Sequence, residues 1–155
     1  MSTSRIRGTY SVGRIRVSIV RDGTDCYLSQ KADSPQAVAR LFLATAPDDG
    51  REHFRILPLT VRHIPIALYT VSIGCLTASL VHPRDLFRPV VLLGAAALVM
   101  THNHPSGDIE PSAEDLALTR RVAAAGSLLG IEVLDHVITG DGTSNWVSLK
   151  ERGIL

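Results

Sequence analysis

Gly94-Ala95-Ala96-Ala97-Leu98-Val99-Met100-Thr101-His102-Asn103-His104-Pro105-Ser106-Gly107-Asp108 is the stretch on which the fold turns. Ala95 to Met100 is an unbroken apolar run, which suits a central strand buried on both faces. It leads directly into Thr101–Asp108, read as a polar loop. In open α/β sheets ligands gather beyond the carboxyl ends of the strands, and His102 and His104 stand at such an end.

Downstream, a helix starts near Ser112, with Leu118, Val122, Ala125 and Leu129 as its buried stripe and Gly130 as its cap. Ile131 to Thr139 reads as a strand, Gly140-Asp141-Gly142 as a turn, and Trp146 to Leu149 as the last strand. Upstream, His82-Pro83 opens a helical segment. Pro89 would break or kink it, so one helix and two short pieces are both open. Residues 65–73 read as a strand ended by Gly74. From Glu52 the pattern is extended, Phe54 and Ile56 alternating with His53 and Arg55, and Pro58 calls for an edge position or a bulge. Ser34-Pro35 is a helix start, Val38, Leu41 and Phe42 share a face, and Pro47 ends the helix. Ile15, Val17 and Ile19 alternate with polar residues as in a half-buried strand. Asp22-Gly23 would turn it into a second strand near Cys26 to Leu28. Residues 1–13 read as a flexible arm. The alternation of elements over 14–155 predicts one α/β (α+β) domain, a mixed sheet flanked by helices.

Composition excludes several classes. A chain of 155 residues, 45% hydrophobic and 20% charged, has the balance of an ordinary globular domain. Sixteen basic and 15 acidic residues leave a net charge of +1, without the basic excess of a nucleic-acid protein. Arg5, Arg7, Arg14 and Arg16 read as a solvated tail and strand face. Cys26 and Cys75 form no CxxC pair. Met1 to Arg16 holds no apolar stretch of a signal peptide, and Pro89–Met100 is too short to span a bilayer. A soluble cytoplasmic protein without a membrane partner is the expectation.

The chemistry concentrates between His102 and Asp115. Extended chain repeats every two residues, so His102 and His104 point the same way and could grip one ion. Asp115 lies in the first turn of the following helix, one turn before Leu118, on the stripe that faces the core. A carboxylate aimed inward needs a positive partner, which a metal would supply. Two histidines and one carboxylate leave a tetrahedral zinc one open position, as in catalytic sites. Two other readings compete. Ser112-x-x-Asp115 resembles a capping box, and the histidines could be surface loop residues. Capping accounts for Ser112 and Asp115 but not for the histidine pair.

His102-x-His104, seven residues, Ser112, two residues, Asp115 resembles in full the signature of the JAMM (MPN-plus) metalloproteases. The run His102–Asp108, together with Val81-His82-Pro83-Arg84, Leu134-Asp135-His136 and Val147-Ser148-Leu149, is similar to the RadC branch of that superfamily. The likeness is dense from about Ser72 onward and thinner before it. It implies a mixed-sheet JAMM fold with Zn2+ on His102, His104 and Asp115, and peptide or isopeptide hydrolysis by an activated water. By the same resemblance Glu52 is general base and then general acid, and Ser112 helps stabilise the oxyanion. The residues themselves add only that Glu52 is an acidic group opening an apolar strand, and a solvated carboxylate beside Asp48 and Asp49 is the alternative. RadC proteins commonly carry an N-terminal helix-hairpin-helix region, for which this chain is expected to have no room. Residues 57–69 and Thr101 also depart from the family pattern. Asp135 and His136 read as structural support, with a contact behind the metal ligands as the alternative. Rival functions are a RadC-like factor associated with DNA repair or mobile elements, and an MPN scaffold without catalysis. A zinc nucleobase deaminase would need HxE and PCxxC, which are missing.

Overall fold

The computed structural model describes residues 16–20, 23, 31–74 and 81–155. Its elements run α1 (Pro35–Ala44), β1 (His53–Leu59), β2 (Tyr69–Ile73), α2 (Pro83–Leu92), β3 (Ala97–His104), α3 (Ala113–Leu129), β4 (Glu132–Gly140) and β5 (Trp146–Ser148). The strands form one sheet in the order β2-β1-β3-β4-β5. β3 and β4 run parallel and the other neighbours antiparallel, so the sheet is mixed, as expected. A parallel pair needs a crossover, and α3 provides it between β3 and β4.

The apolar run is the central strand. Leu98 and Met100 enter a core with Leu86, Phe87 and Val90 of α2 and Leu118 and Val122 of α3. Ala97 and Val99 enter a second core with Val38, Ala39, Leu41 and Phe42 of α1. The strand does not stop at Met100. Thr101–His104, expected to be loop, continue β3, because β1 pairs with it as far as His102 and β4 as far as His104. That ladder satisfies backbone groups that a buried loop would leave open.

β1 is buried along all seven residues rather than on one face. Pro58 is nevertheless tolerated. Its carbonyl accepts from Ile66 N at 2.9 Å, which shows that its missing N–H faces the β2 side. The β2 ladder has already ended at Ile56 there, so Pro58 sits at a local edge. The ladder irregularity lies at Phe54/Arg55 instead. The strand expected over 65–73 is shorter, with a lone bridge between Leu59 and Pro65 preceding β2.

The helix ends are built as their residues dictate. Ser34 Oγ accepts from Ala37 N at 3.2 Å with Pro35 in the first turn of α1. The other end of α1 is met by Arg55, a buried arginine on β1, which donates to Thr45 O at 2.7 Å and Phe42 O at 3.1 Å. A cation there fills orphan carbonyls at the negative end of the helix. His82 caps α2 by accepting from Arg84 N at 3.2 Å, and α2 passes through Pro89 as one helix. In α3 Leu118 and Val122 are buried and Ala125 packs against the core, but Leu129 is half exposed, correcting its place on the stripe. Gly126 lies where α3 packs tightly against the chain entering β4. A Cβ there would lie 2.5 Å from Ile131 O.

The strand expected around Ile15–Ile19 is not present in residues 16–20, where Val17, Ile19 and Val20 are all exposed and unladdered. The arm at 1–13, the second strand near Cys26–Leu28, and both cysteines lie outside the described residues. Among the described residues no helix is long and apolar enough to cross a membrane.

Candidate metal centre

The alternation of β3 divides its last four residues between two faces. His102 and His104 face α3, while Thr101 and Asn103 face the α1 side, in line with Ala97 and Val99. The two imidazole Nε2 atoms meet at 2.9 Å. α3 begins at the Ser112 N-cap, and Asp115 projects back from its first turn. Its Oδ1 lies 3.2 Å from His102 Nε2 and its Oδ2 3.7 Å from His104 Nε2. On the other side, Phe54 pairs with His102 across β1 and β3. Continuing that register by two residues sets Glu52 opposite His104. Glu52 Oε1 is 4.0 Å from His102 Nε2. Ligand atoms of Glu52, His102 and His104 all lie within 4.8 Å of one another. The five residues expected at the site from sequence, Glu52, His102, His104, Ser112 and Asp115, are therefore gathered in one place. His102 and Asp115 form its buried floor, and Glu52 and His104 its partly exposed rim.

The capping and metal-site readings of Ser112 and Asp115 hold together. Ser112 N and Ser112 Oγ both donate to Asp115 Oδ2, at 2.8 and 2.6 Å, and Asp115 N donates to Ser112 Oγ at 3.1 Å. The box orients the carboxylate through Oδ2 and leaves Oδ1 to face His102. Burial alone would raise the Asp115 pKa. Hydrogen bonds from His102, His104 and Ser112 overcome this and hold it well below the usual carboxylate range. The same carboxylate, by hydrogen bond first, raises the pKa of His104 against its burial. The cluster thus favours positive charge at the point where the two imidazoles meet. His104 Nδ1 lies 2.6 Å from Asp108 O, a carbonyl that can only accept, so His104 carries a proton on Nδ1 and Nε2 is the ring nitrogen turned inward. Two imidazole nitrogens and a carboxylate converging on one point are the donor set of zinc sites. The residues present fit a divalent metal ion, with either Asp115 or Glu52 able to complete the set.

Three groups around the centre had not been singled out from sequence. Asn103, between the histidines, turns to the opposite face, where its Oδ1 accepts from His53 N at 2.7 Å and its Nδ2 donates to Arg51 O at 2.9 Å. One side-chain amide thus bridges the residues on either side of Glu52, and Gly74 N–H holds Glu52 O at 2.8 Å. Asp141 accepts from Asn103 Nδ2 at 3.0 and 2.9 Å. Thr119, one turn beyond Asp115, is fully buried against His136 at 2.6 Å. The signal for Asn103 was a polar residue at an odd strand position, which must find partners on an apolar face. Thr119 and Asp141 carried no such signal.

Asp135 and His136 part company. Asp135 takes Ser148 Oγ at 2.6 Å, Lys150 N at 3.1 Å and the N–H of His136 at 2.7 Å, which ties down the strand β5. His136 lies behind His102, its Nε2 2.9 Å from His102 Nδ1, and burial pushes its pKa well below the ordinary value. The side chain of His53 pairs with Asp49 at 2.9 Å. That contact first, and Arg51 second, lowers the Asp49 pKa to about 2. Gly140 is required where the 140–142 turn meets the Pro105–Asp108 loop, since a Cβ would stand 2.3 Å from Gly107 O.

A mixed sheet whose central strand ends in HxH, faced by an aspartate from the crossover helix, defines the JAB class of the JAMM/MPN superfamily. The RadC-like JAB domain family matches residues 32–154, and the chain belongs to that family. A UPF0758 protein of Desulfitobacterium hafniense is 41% identical over 152 residues, covering 98% of this chain and 64% of that protein. One from Rubrobacter xylanophilus is 44% identical over 140 residues, covering 90% and 59%. One from Syntrophotalea carbinolica is 49% identical over 122 residues, covering 79% and 53%. The chain spans between half and two thirds of the length of these relatives.

Proposed function

We propose that this domain is a zinc-dependent hydrolase acting on peptide or isopeptide bonds of a peptide or protein substrate, with His102, His104 and Asp115 holding the metal. The observation that carries the reading is the meeting of two imidazole Nε2 atoms at 2.9 Å with a buried carboxylate 3.2 Å from one and 3.7 Å from the other. Structural zinc sites close the coordination shell, whereas three protein ligands leave room for chemistry. A bound zinc ion supplies a Lewis acid that acidifies water and polarises a carbonyl. Glu52, on the solvent-facing rim, is the group in reach to take the proton of the attacking water and return it to the leaving amine. Its backbone is fixed by Asn103 and Gly74, so the point from which its carboxylate reaches the centre is set before substrate arrives. Ser112 Oγ donates to Asp115 Oδ2, so it orients that carboxylate. An oxyanion role would require the hydroxyl to turn away from it.

Metal content of the purified protein, measured beside His102→Ala, Asp115→Ala and Glu52→Gln, tests the assignment. About one zinc per chain is expected, lost in the first two variants and kept in the third. Glu52→Gln should at the same time abolish cleavage of a panel of quenched-fluorescence peptides and isopeptides. Full zinc in Asp115→Ala, or loss of zinc in Glu52→Gln, would exchange the roles of the two carboxylates. Undiminished cleavage in Glu52→Gln would remove the general base proposed here.

A further inference from the structure

The hydrogen bonds behind His102 form a chain that ends on the main chain. Thr119 Oγ1 lies 2.6 Å from Asp115 O, and a carbonyl can only accept, so the hydroxyl donates its single proton there. With that proton committed, Thr119 Oγ1 can only accept from its other neighbour, His136 Nδ1, at 2.6 Å. A neutral imidazole with its proton on Nδ1 has a lone pair on Nε2, and that atom faces His102 Nδ1 at 2.9 Å. His102 must then donate from Nδ1, which leaves its own Nε2 unprotonated and turned toward His104 and Asp115. Each step follows from which atoms can donate, and all three side chains are fully buried, so water cannot substitute for any member.

We infer that Thr119 and His136 are positioning residues that set the tautomer of His102 and thereby make its Nε2 available to a metal. The inference rests on the metal-centre reading above. Without the Thr119 oxygen, His136 has no acceptor for its Nδ1–H. Its proton then moves to Nε2 and is donated to His102 Nδ1. The proton of His102 is driven to Nε2, the atom that has to bind. The hydrogen bonds of Thr119 go to the Asp115 main chain and to His136, so its influence on the His102 ring acts through the His136 imidazole. His104 has its own acceptor for Nδ1–H in Asp108 O, outside this chain of hydrogen bonds.

Thr119→Val removes the acceptor while keeping the branched shape, and Thr119→Ser keeps the acceptor. Zinc affinity measured by chelator competition should fall on the order of 10–100-fold in Thr119→Val and stay near wild type in Thr119→Ser. Long-range 1H–15N spectra of the metal-free proteins read the tautomers directly. In wild type and Thr119→Ser, His136 should carry its proton on Nδ1, with Nε2 bare, and His102 should be protonated at Nδ1. In Thr119→Val, the His136 proton should shift to Nε2 and His102 should lose its proton at Nδ1. Equal affinity in all three proteins, equal loss in both variants, or an Nε2 proton on wild-type His136 would overturn the inference. A wild type that binds no zinc but shows the Nδ1 pattern would instead fault the metal reading and leave the tautomer relay standing.

Discussion

Asn103→Asp is the perturbation that most sharply tests the brace behind Glu52. It keeps the shape of the side chain and the acceptor for His53 N, and replaces the amide nitrogen with a carboxylate oxygen. That nitrogen stands 2.9 Å from Arg51 O and 2.9 and 3.0 Å from the two Asp141 oxygens. Two carboxylates about 3 Å apart repel by ~5 kcal/mol at an effective dielectric constant of 20. Sharing one proton relieves part of this, so we expect a net loss of ~3 kcal/mol near pH 7, a melting temperature lower by ~6–12 °C. The sign of the pH dependence is set by the shared proton. The folded variant holds a proton that the unfolded chain has released, so its folded-state pKa is raised and stability is gained as the pH falls. The deficit relative to wild type should therefore shrink as the pH approaches about 4, the ordinary carboxylate range. Asn103→Ala, which leaves orphaned backbone groups but adds no charge, should show a deficit without acid recovery. Zinc content should be unchanged in both, because Asn103 faces away from the histidines. Turnover should fall roughly a hundredfold, because a misplaced Glu52 no longer meets the attacking water. A wild-type melting temperature at pH 7 together with wild-type turnover would refute the brace.

Ser112→Ala should cost on the order of 1 kcal/mol as a lost cap, read from denaturation midpoints. Ser112→Gly should restore most of that stability, and if turnover recovers with it, Ser112 acts only as a cap. Gly126→Ala forces α3 away from Ile131 O, which a Cβ would approach to 2.5 Å, and should lower the urea midpoint by an equivalent of ~1–3 kcal/mol. An unchanged midpoint would mean that the helix shifts freely. Binding to duplex DNA should be weak and non-selective, since a net charge of +1 releases few counterions. A tight, sequence-selective mobility shift at physiological salt would overturn that expectation.

The parts of the fold that depend on local chemistry were legible in the sequence. The Ser34-Pro35 and Ser112 caps, the apolar β3 run and the spacing from His102 to Asp115 all act within a few turns of chain. What could not be read depended on distant partners. Pro58 looked disruptive because the early end of the β2 ladder is a tertiary fact. Thr101–His104 looked like loop because their polarity is answered by β1, β4 and side chains far along the chain. The Val17 and Ile19 alternation has the period of a strand, but period alone supplies no ladder, and both residues are exposed. In the site, the ligand pair and Asp115 were visible as a motif. Asn103 and Thr119 were not, because their work is done by hydrogen bonds to residues 52 and 17 positions away.

The alternation of β3 makes the centre a gauge of chain length. Consecutive residues of one strand deliver, in turn, a group to the Glu52 brace and a group to the metal side, with no flexible joint between them. Inserting or deleting a single residue between Ala97 and Thr101 would exchange the two deliveries, sending imidazoles into the α1 core and the amide toward Asp115. The loop from Pro105 to Pro111 has no such parity, being constrained where Gly107 meets Gly140 and where Asp108 O meets His104 Nδ1. Length changes during divergence or engineering should therefore be absorbed by residues 109–111, while the number of residues from Ala97 to His104 stays fixed wherever the centre is kept.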